Sequence, residues 1–289
     1  MAIISTKNLS YVYSAKTPFE KAALDNINIE IMQGELVGII GHTGSGKSTL
    51  VQHFNGLVKP TSGQIFVDGE DIWANPKEIK QLRFKVGLVF QYPEYQLFDE
   101  TVRKDIAFGP RNMGLSEDEI EQRVNDAAEI VGLSDKLLDK SPFDLSGGEK
   151  RRAALAGVLA MNPKVLILDE PTAGLDPIGR DGILTRIKEY QKSSGATVLL
   201  VSHSMEDVAR VADRILVMDH SHAKMLDTVD NVFSHADELQ AIGLNVPHIT
   251  KVFMGLRARG FDVPDNVYTV DKAAQILNDL LKSKGGDRK

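Results

Sequence analysis

Cysteine is absent from the 289 residues, so disulfides and thiolate-bound metals are excluded. That absence fits a reducing cytoplasm. An excess of basic charge is also missing. Lys and Arg number 34 against 40 Asp and Glu, a formal net charge of -6, which gives no electrostatic basis for a general nucleic-acid role. No apolar run approaches the roughly 18–20 residues needed to span a bilayer. Met1–Ser5 lacks the charged and apolar regions of a signal peptide. If the protein acts at a membrane, another chain is expected to do the crossing. No internal repeat or low-complexity tract occurs. The remainder, 42% hydrophobic and 26% charged, is ordinary for a globular chain of one large or two modest domains.

Apolar residues at Leu24, Ile27, Ile29 and Ile31 predict an early strand, and Gly63–Val67 another after the turn at Pro60–Ser62. Leu36–Ile40 is short and wholly apolar, and similar runs recur at Val86–Phe90, Val165–Asp169, Thr197–Val201 and Arg214–Met218. Continuous apolar strands separated by helical stretches predict an α/β fold with a sheet buried on both faces. Residues 93–160 read as an inserted helical subdomain, with Ser116 and Glu119 spaced as a helix-capping pair. After about Lys224 the strand pattern stops. Pro247–Arg259 predicts a helix with Ile249, Val252, Phe253 and Leu256 on one face, ending at Gly260. Thr269 is placed to cap a last helix with Ile276, Leu277, Leu280 and Leu281 on its apolar side, and Ser283–Lys289 is expected to be disordered.

Three motifs carry chemistry. Gly41-His42-Thr43-Gly44-Ser45-Gly46-Lys47-Ser48-Thr49 fits the phosphate-binding loop, or P-loop, at every fixed position and runs from an apolar strand into helix-forming residues. Glycines let backbone N–H groups turn inward around phosphate oxygens, and the following helix adds its positive end. Lys47 is expected at the β/γ-phosphates and Ser48 at Mg²⁺. Asp169 ends a buried apolar strand, as the metal-binding acid of a P-loop ATPase does, and Glu170 beside it is the candidate general base. Leu145-Ser146-Gly147-Gly148-Glu149 is a second element suited to phosphate. A chance glycine turn, a solvated strand-end acid and a bland helix cap are the competing readings. The joint presence of all three in order tells against them.

This set resembles the nucleotide-binding subunits of ABC transporters. Leu145–Glu149 is similar to that family's LSGGQ signature, with Glu149 for the usual Gln. The resemblance covers residues 3–225 and implies an ATP- and Mg²⁺-dependent ATPase cassette over residues 1–225. It implies a mostly parallel core sheet, an N-terminal antiparallel β portion and the helical subdomain, followed by a mostly helical extension over 226–289. In the family two cassettes stack head to tail, so Ser146, Gly147, Gly148 and Glu149 would act in trans on a second ATPase's nucleotide. Gln91 matches the glutamine that senses Mg²⁺ and the γ-phosphate, and with Ser48 and Asp169 it belongs to the implied metal set. Gly174-Leu175-Asp176 resembles the loop crossing the dimer interface. His203 resembles the switch histidine that helps Glu170 hold water. Tyr13 resembles the aromatic that stacks on adenine, with Tyr11 as the alternative. Repair and chromosome ATPases of this fold carry a long coiled coil between loop and signature, and translation factors carry two cassettes; neither pattern is present.

A finer resemblance follows Gln91. Val89–Phe98 and Asp105–Pro110 are similar to the ATPases of energy-coupling factor (ECF) importers of vitamins or transition metals, nearest the second ATPase of the vitamin-type module. This implies a non-identical partner ATPase, a transmembrane coupling protein and a membrane substrate-binding subunit, with this chain peripheral on the cytoplasmic face. Cobalt/nickel-type transport and a regulatory ATPase without a transport partner are the alternatives. Tyr92, Tyr95, Leu97 and Phe98 are expected to form an apolar groove for a helix of the membrane partner, the competing reading being that they fill the subdomain's own core.

Overall fold

A computed structural model describes residues 1–285 of the chain. The first sheet is antiparallel. It is built from β1 (Ala2–Tyr13), β2 (Lys21–Ile27), β3 (Glu30–Met32), β5 (Ser62–Val67) and β6 (Glu70–Asp71), in the order β2-β1-β5-β6 with β3 also on β1. The early strand expected through Leu24–Ile31 is therefore two strands. Leu24 and Ile27 are three residues apart, and both reach the core because Asn26 adopts φ 51°, breaking the alternation.

The second sheet contains β4 (Leu36–Gly41), β7 (Val86–Val89), β8 (Val165–Asp169), β9 (Thr197–Val201), β10 (Arg214–Asp219) and β11 (His222–Thr228). Its order is β11-β10-β4-β9-β8-β7, parallel throughout except for the antiparallel edge strand β11. The strand pattern thus runs past Lys224 to Thr228, across the boundary expected at 225. The continuous apolar reading of β4 has a direct cause. Val37 and Ile39 face a core with Leu50, Val51 and Phe54 of α1 (Lys47–Phe54), while Leu36 and Ile40 join cores on the opposite face. A side chain at Gly38 would place its Cβ 2.3 Å from Val208, so the strand has room only for glycine there.

Between β6 and β7 runs α2 (Ile79–Lys85). Between β7 and β8 lie α3 (Val102–Met113), α4 (Glu117–Val131), α5 (Asp135–Leu138) and α6 (Gly147–Leu159). Ile106, Val124, Ala128, Leu155 and Ala156 pack this helical insert. Ser116 caps α4: its hydroxyl accepts from Glu119 N at 3.4 Å, and Glu119 accepts from Ser116 N at 3.0 Å. The helices α7 (Pro177–Ser194) and α8 (Met205–Val211) flank β9.

The C-terminal part is helical, with α9 (Val229–Ser234), α10 (Ala236–Ala241), α11 (His248–Ala258) and α12 (Val270–Gly285). Phe233 of α9 and Phe253 of α11 are fully buried, but Val252 and Leu281 are exposed rather than part of their helices' apolar faces. Ser283–Gly285, expected to be disordered, continue α12; the rest of that expectation, 286–289, lies outside the described residues. Among the described residues no helix is long and apolar enough to cross a membrane.

Candidate nucleotide site

Four adjacent strands deliver the site. The P-loop follows β4, the acids end β8, His203 follows β9 and Gln91 follows β7, all at the carboxyl edge of the parallel sheet. Ligands bind at that edge because loops and helix N-termini converge there. A cleft of about 320 Å³ opens at this edge, and its wall includes Thr43, Gly44, Gly46, Lys47, Ser48, Thr49, Gln91, Asp169, Glu170 and His203.

Gly46 has φ 105°, and a Cβ there would lie 2.4 Å from Ala23 O, so the loop can close only with glycine at this position. Lys47 is buried and donates from Nζ to Gly41 O at 2.7 Å and His42 O at 3.0 Å. Burial lowers its pKa, opposed by the charges of Glu170 and Asp169. Gly41, His42 and Ser45 do not line the cleft. The Ser45 hydroxyl is buried without a hydrogen-bond partner among the described residues, and the His42 ring turns towards Asp219 at 3.1 Å.

Burial raises the pKa of Asp169, a hydrogen bond with Ser48 opposing it. Burial also pushes Glu170 to about 7, a backbone hydrogen bond from His203 opposing and the Asp169 charge adding to the rise. Glu170 sits at φ 54°, a strained conformation for a non-glycine residue, held by its N–H to Val201 O at 3.0 Å. Its Oε1 is 3.2 Å from His203 Nε2 yet has no aligned hydrogen-bond donor among the described residues. Burial and the Lys47 charge lower the pKa of His203. A buried carboxyl of this kind, with a free oxygen beside a histidine, can accept a proton from water.

Of the two tyrosines, Tyr13 lines the cleft, is 40% exposed, and its hydroxyl lies 3.1 Å from Thr49 Oγ1. Tyr11 packs on the core against His53. Lys21 also lines the cleft, opposite Tyr13 in the β1–β2 register. The sequence gives no sign of Lys21, because only strand pairing brings it to the site.

Ser146, Gly147, Gly148 and Glu149 begin α6 and lie outside the cleft of their own P-loop. A Cβ on Gly147 would meet nothing within 4 Å, so this turn is open to an incoming group. Asp176 caps α7, accepting from Gly179 N at 2.7 Å.

Comparison with known proteins places this geometry. Residues 24–173 match the family model described as ABC transporter. The chain is 57% identical to energy-coupling factor transporter ATP-binding protein EcfA2 of Clostridium acetobutylicum over 97% of its length and 98% of the relative's. It is 54% identical to EcfA2 of Clostridium perfringens over 97% and 99%. The chain belongs to the ECF transporter ATP-binding proteins of the ABC family. Among solved structures, cbiO1 of Clostridium perfringens, part of the ABC transporter complex cbiONQ, superposes with TM-score 0.75 at 42% identity, covering 88% of this chain and 99% of that one. The ATP-binding cassette MJ0796, dimeric and bound to ADP and Pi, gives TM-score 0.69 at 28% identity, covering 78% and 98%.

The residues of this ABC ATPase fit a Mg²⁺-nucleotide. Ser48 and Asp169 supply hard oxygen donors side by side, and the Lys47 ammonium now capping its own loop carbonyls is free to turn to phosphate. A second connection joins the signature helix to the sheet. Arg151 of α6, almost fully buried, holds Glu94 at 3.0 Å and 3.2 Å and donates to the carbonyls of Pro171 and Ala173 just after Glu170. Glu94 lies three residues past Gln91, so one guanidinium ties three functional segments together. Along α6 runs a groove of about 440 Å³ walled by Phe84, Leu97, Phe98, Phe108, Val158 and Met161. Of the aromatic stretch expected to form it, Leu97 and Phe98 line the groove, while Tyr92 and Tyr95 stand exposed outside it. Leu97 also packs on the core of the helical insert, as the competing reading of the stretch expects. The sequence gives no sign that Phe84 and Phe108 share this groove, because they come from separate helices.

Proposed function

We propose that this ECF-family ATPase powers an importer of vitamins or other micronutrients by working head to tail with a second ATPase on a transmembrane coupling protein. The separation of the signature from the chain's own P-loop cleft carries this reading. The chain holds two half-sites, and a whole site needs two chains. The dimer of MJ0796 and the naming of the relatives support it.

ATP binds at Thr43–Thr49 with Tyr13 against the base and Lys47 on the β/γ-phosphates. Ser48, Gln91 and Asp169 would hold Mg²⁺, which when bound would neutralise charge on those phosphates. Ser146, Gly147 and Gly148 of the partner copy or homologue meet the γ-phosphate, their amides and the α6 dipole adding positive potential. Glu170 accepts the proton as water attacks in line, His203 steadies both, and ADP leaves. Residues 1–228, to the end of β11, form the cassette, 93–160 its helical subdomain, and the helices from Val229 onward the extension. The groove at Phe98 and Phe108 receives a helix of the coupling protein, Arg151 relaying its movement. The chain then sits peripherally on the cytoplasmic face, with a membrane substrate-binding subunit as a further partner.

The test is co-purification with ATPase assay. A complex containing a second cassette and a multi-span protein, whose turnover depends on Ser146 of this chain, supports the reading. Recovery of ribosomes or DNA instead of membrane chains, or turnover unchanged by Ser146→Arg, defeats it.

A further inference from the structure

The turn joining β10 to β11 leans on the P-loop. Ser221 N donates to Ser45 O at 3.2 Å, and Asp25 N donates to Ser221 O at 2.8 Å. His220 and Ser221 take φ values of 41° and 69°, which makes the reversal tight. Three side chains meet there. Oδ1 of buried Asp219 lies 3.1 Å from His42 Nε2 and 2.6 Å from His220 Nδ1. The two imidazoles meet edge to face with centroids 4.9 Å apart, and one ligand atom from each of the three residues lies within 4.8 Å of the others. None of the three lines the nucleotide cleft.

The proton count at His42 is incomplete. Nδ1 faces the carbonyl of Thr43 at 3.0 Å, and Nε2 faces the Asp219 carboxylate at 3.1 Å. Both neighbours are acceptors, and a neutral imidazole carries a single N–H. With Nδ1–H given to the Thr43 carbonyl, the arrangement usual for a ligating histidine, the Nε2 lone pair points at a carboxylate oxygen. A cation between them removes that conflict.

We propose that His42, Asp219 and His220 form a binding site for a divalent transition-metal ion of the zinc class, which clamps the P-loop to the β10–β11 turn. Two imidazoles and one carboxylate with an open fourth position are a zinc-type donor set, whereas Mg²⁺ prefers oxygen alone. Bonds of about 2.0–2.2 Å in a tetrahedron put ligand atoms roughly 3.3–3.5 Å apart. The His42–Asp219 pair is close to that spacing already. His220, whose side chain is 80% exposed, has the freedom to open its short contact with Asp219 and to close on His42, the pair that is now wider than this spacing. Because His42 adjoins Thr43 and Gly44 in the cleft wall, the ion stiffens the loop that cradles phosphate without touching the nucleotide.

The test uses the full chain without a histidine tag, in excess Mg²⁺ and a non-hydrolysable ATP analogue, so that its γ-phosphate covers Asp169, Glu170 and His203. Zn²⁺ is titrated calorimetrically, and Co²⁺ serves as the visible-absorption probe. The expected result is one Zn²⁺ per chain in the presence of excess Mg²⁺, tetrahedral Co²⁺ bands that Zn²⁺ abolishes, and a Zn²⁺-dependent rise in melting temperature. His220→Ala keeps the metal-free melting temperature of the parent but loses about tenfold or more in Zn²⁺ affinity, and the thermal rise with it. His222→Ala, which removes a ring paired with Asp25, leaves Zn²⁺ binding unchanged. Absence of Zn²⁺ binding to the parent chain, or parental affinity in His220→Ala, overturns the proposal.

Discussion

The hydroxyl of Ser146 lies 2.6 Å from Oε2 of Glu149. The same carboxylate oxygen accepts from Ser146 N at 2.8 Å, while Ser146 Oγ accepts from Glu149 N at 3.4 Å. The signature serine therefore caps its own helix and directs its proton inward. The serine hydroxyl and amide hold the Glu149 carboxyl below its usual range, so it stays charged where a second chain's phosphates would approach. Replacing Glu149 by Gln keeps an oxygen for the cap and removes that charge. Glu149→Gln is expected to tighten ATP-dependent pairing with the second ATPase several-fold, measured as the ATP concentration that half-saturates dimer formation in a non-hydrolysing background. An unchanged midpoint would show that the charge is screened.

Glu170→Gln is expected to bind ATP and lose turnover by about 100-fold or more, the scale of a missing general base. It also has a pH signature in the nucleotide-free protein. Burial pushes the carboxyl pKa to about 7 when folded, against 4.5 for an ordinary glutamate. Between these values the folded chain retains a proton that the unfolded chain releases, so stability falls as pH rises through the window. Gln escapes that loss. The variant should gain up to about 3 kcal/mol over the parent near pH 8.5, with the gap closing towards pH 5. Urea melts at the two pH values check the sign.

Tyr13→Ala should weaken ATP binding by about 1–3 kcal/mol, the range for loss of a base-stacking aromatic, with little change in melting temperature. Tyr11→Ala should do the reverse, because Tyr11 packs on the core beside His53 and lies outside the cleft. Fluorescent-nucleotide titration and thermal melts of both variants separate the roles. Equal ATP affinity in Tyr13→Ala and the parent would remove Tyr13 from the base.

Arg151→Met removes the cation that holds Glu94 and the Pro171 and Ala173 carbonyls. Breaking a buried pair from one side costs about 3–5 kcal/mol. A loss of that size is expected in chemical denaturation, and Glu94→Gln with Arg151→Met should recover part of it. Non-coupled, additive losses would mean that the two side chains act independently.

Phe98→Asp and Phe108→Asp place charge in the groove without touching the nucleotide cleft. The two rings meet edge to face with centroids 5.1 Å apart and are 61% and 50% exposed. Each variant should retain ATP binding and fail to co-purify with the membrane chains. Intact assembly in both would place the docking surface elsewhere.

The sequence determined the chemistry that is written locally. A P-loop needs glycines at fixed spacing before a helix, so Gly41–Ser48 are legible as a string, and wholly apolar strands such as Val165–Leu168 announce a sheet covered on both faces. Ser116 and Glu119 are legible for the same reason, since a capping box spans four consecutive residues. Local pattern failed where tertiary pairing overrides it. The edge strand His222–Thr228 is half-exposed and lacks the apolar run of its neighbours, and the Leu24–Ile31 alternation is broken at Asn26. Only the folded chain decided that Tyr13 rather than Tyr11 meets the cleft, that Lys21 joins it, and that Arg151 bridges three segments. His42 and Asp219 are 177 positions apart, and the β10-β4 pairing brings them together. Such contacts depend on strand order, which no window of neighbouring residues encodes.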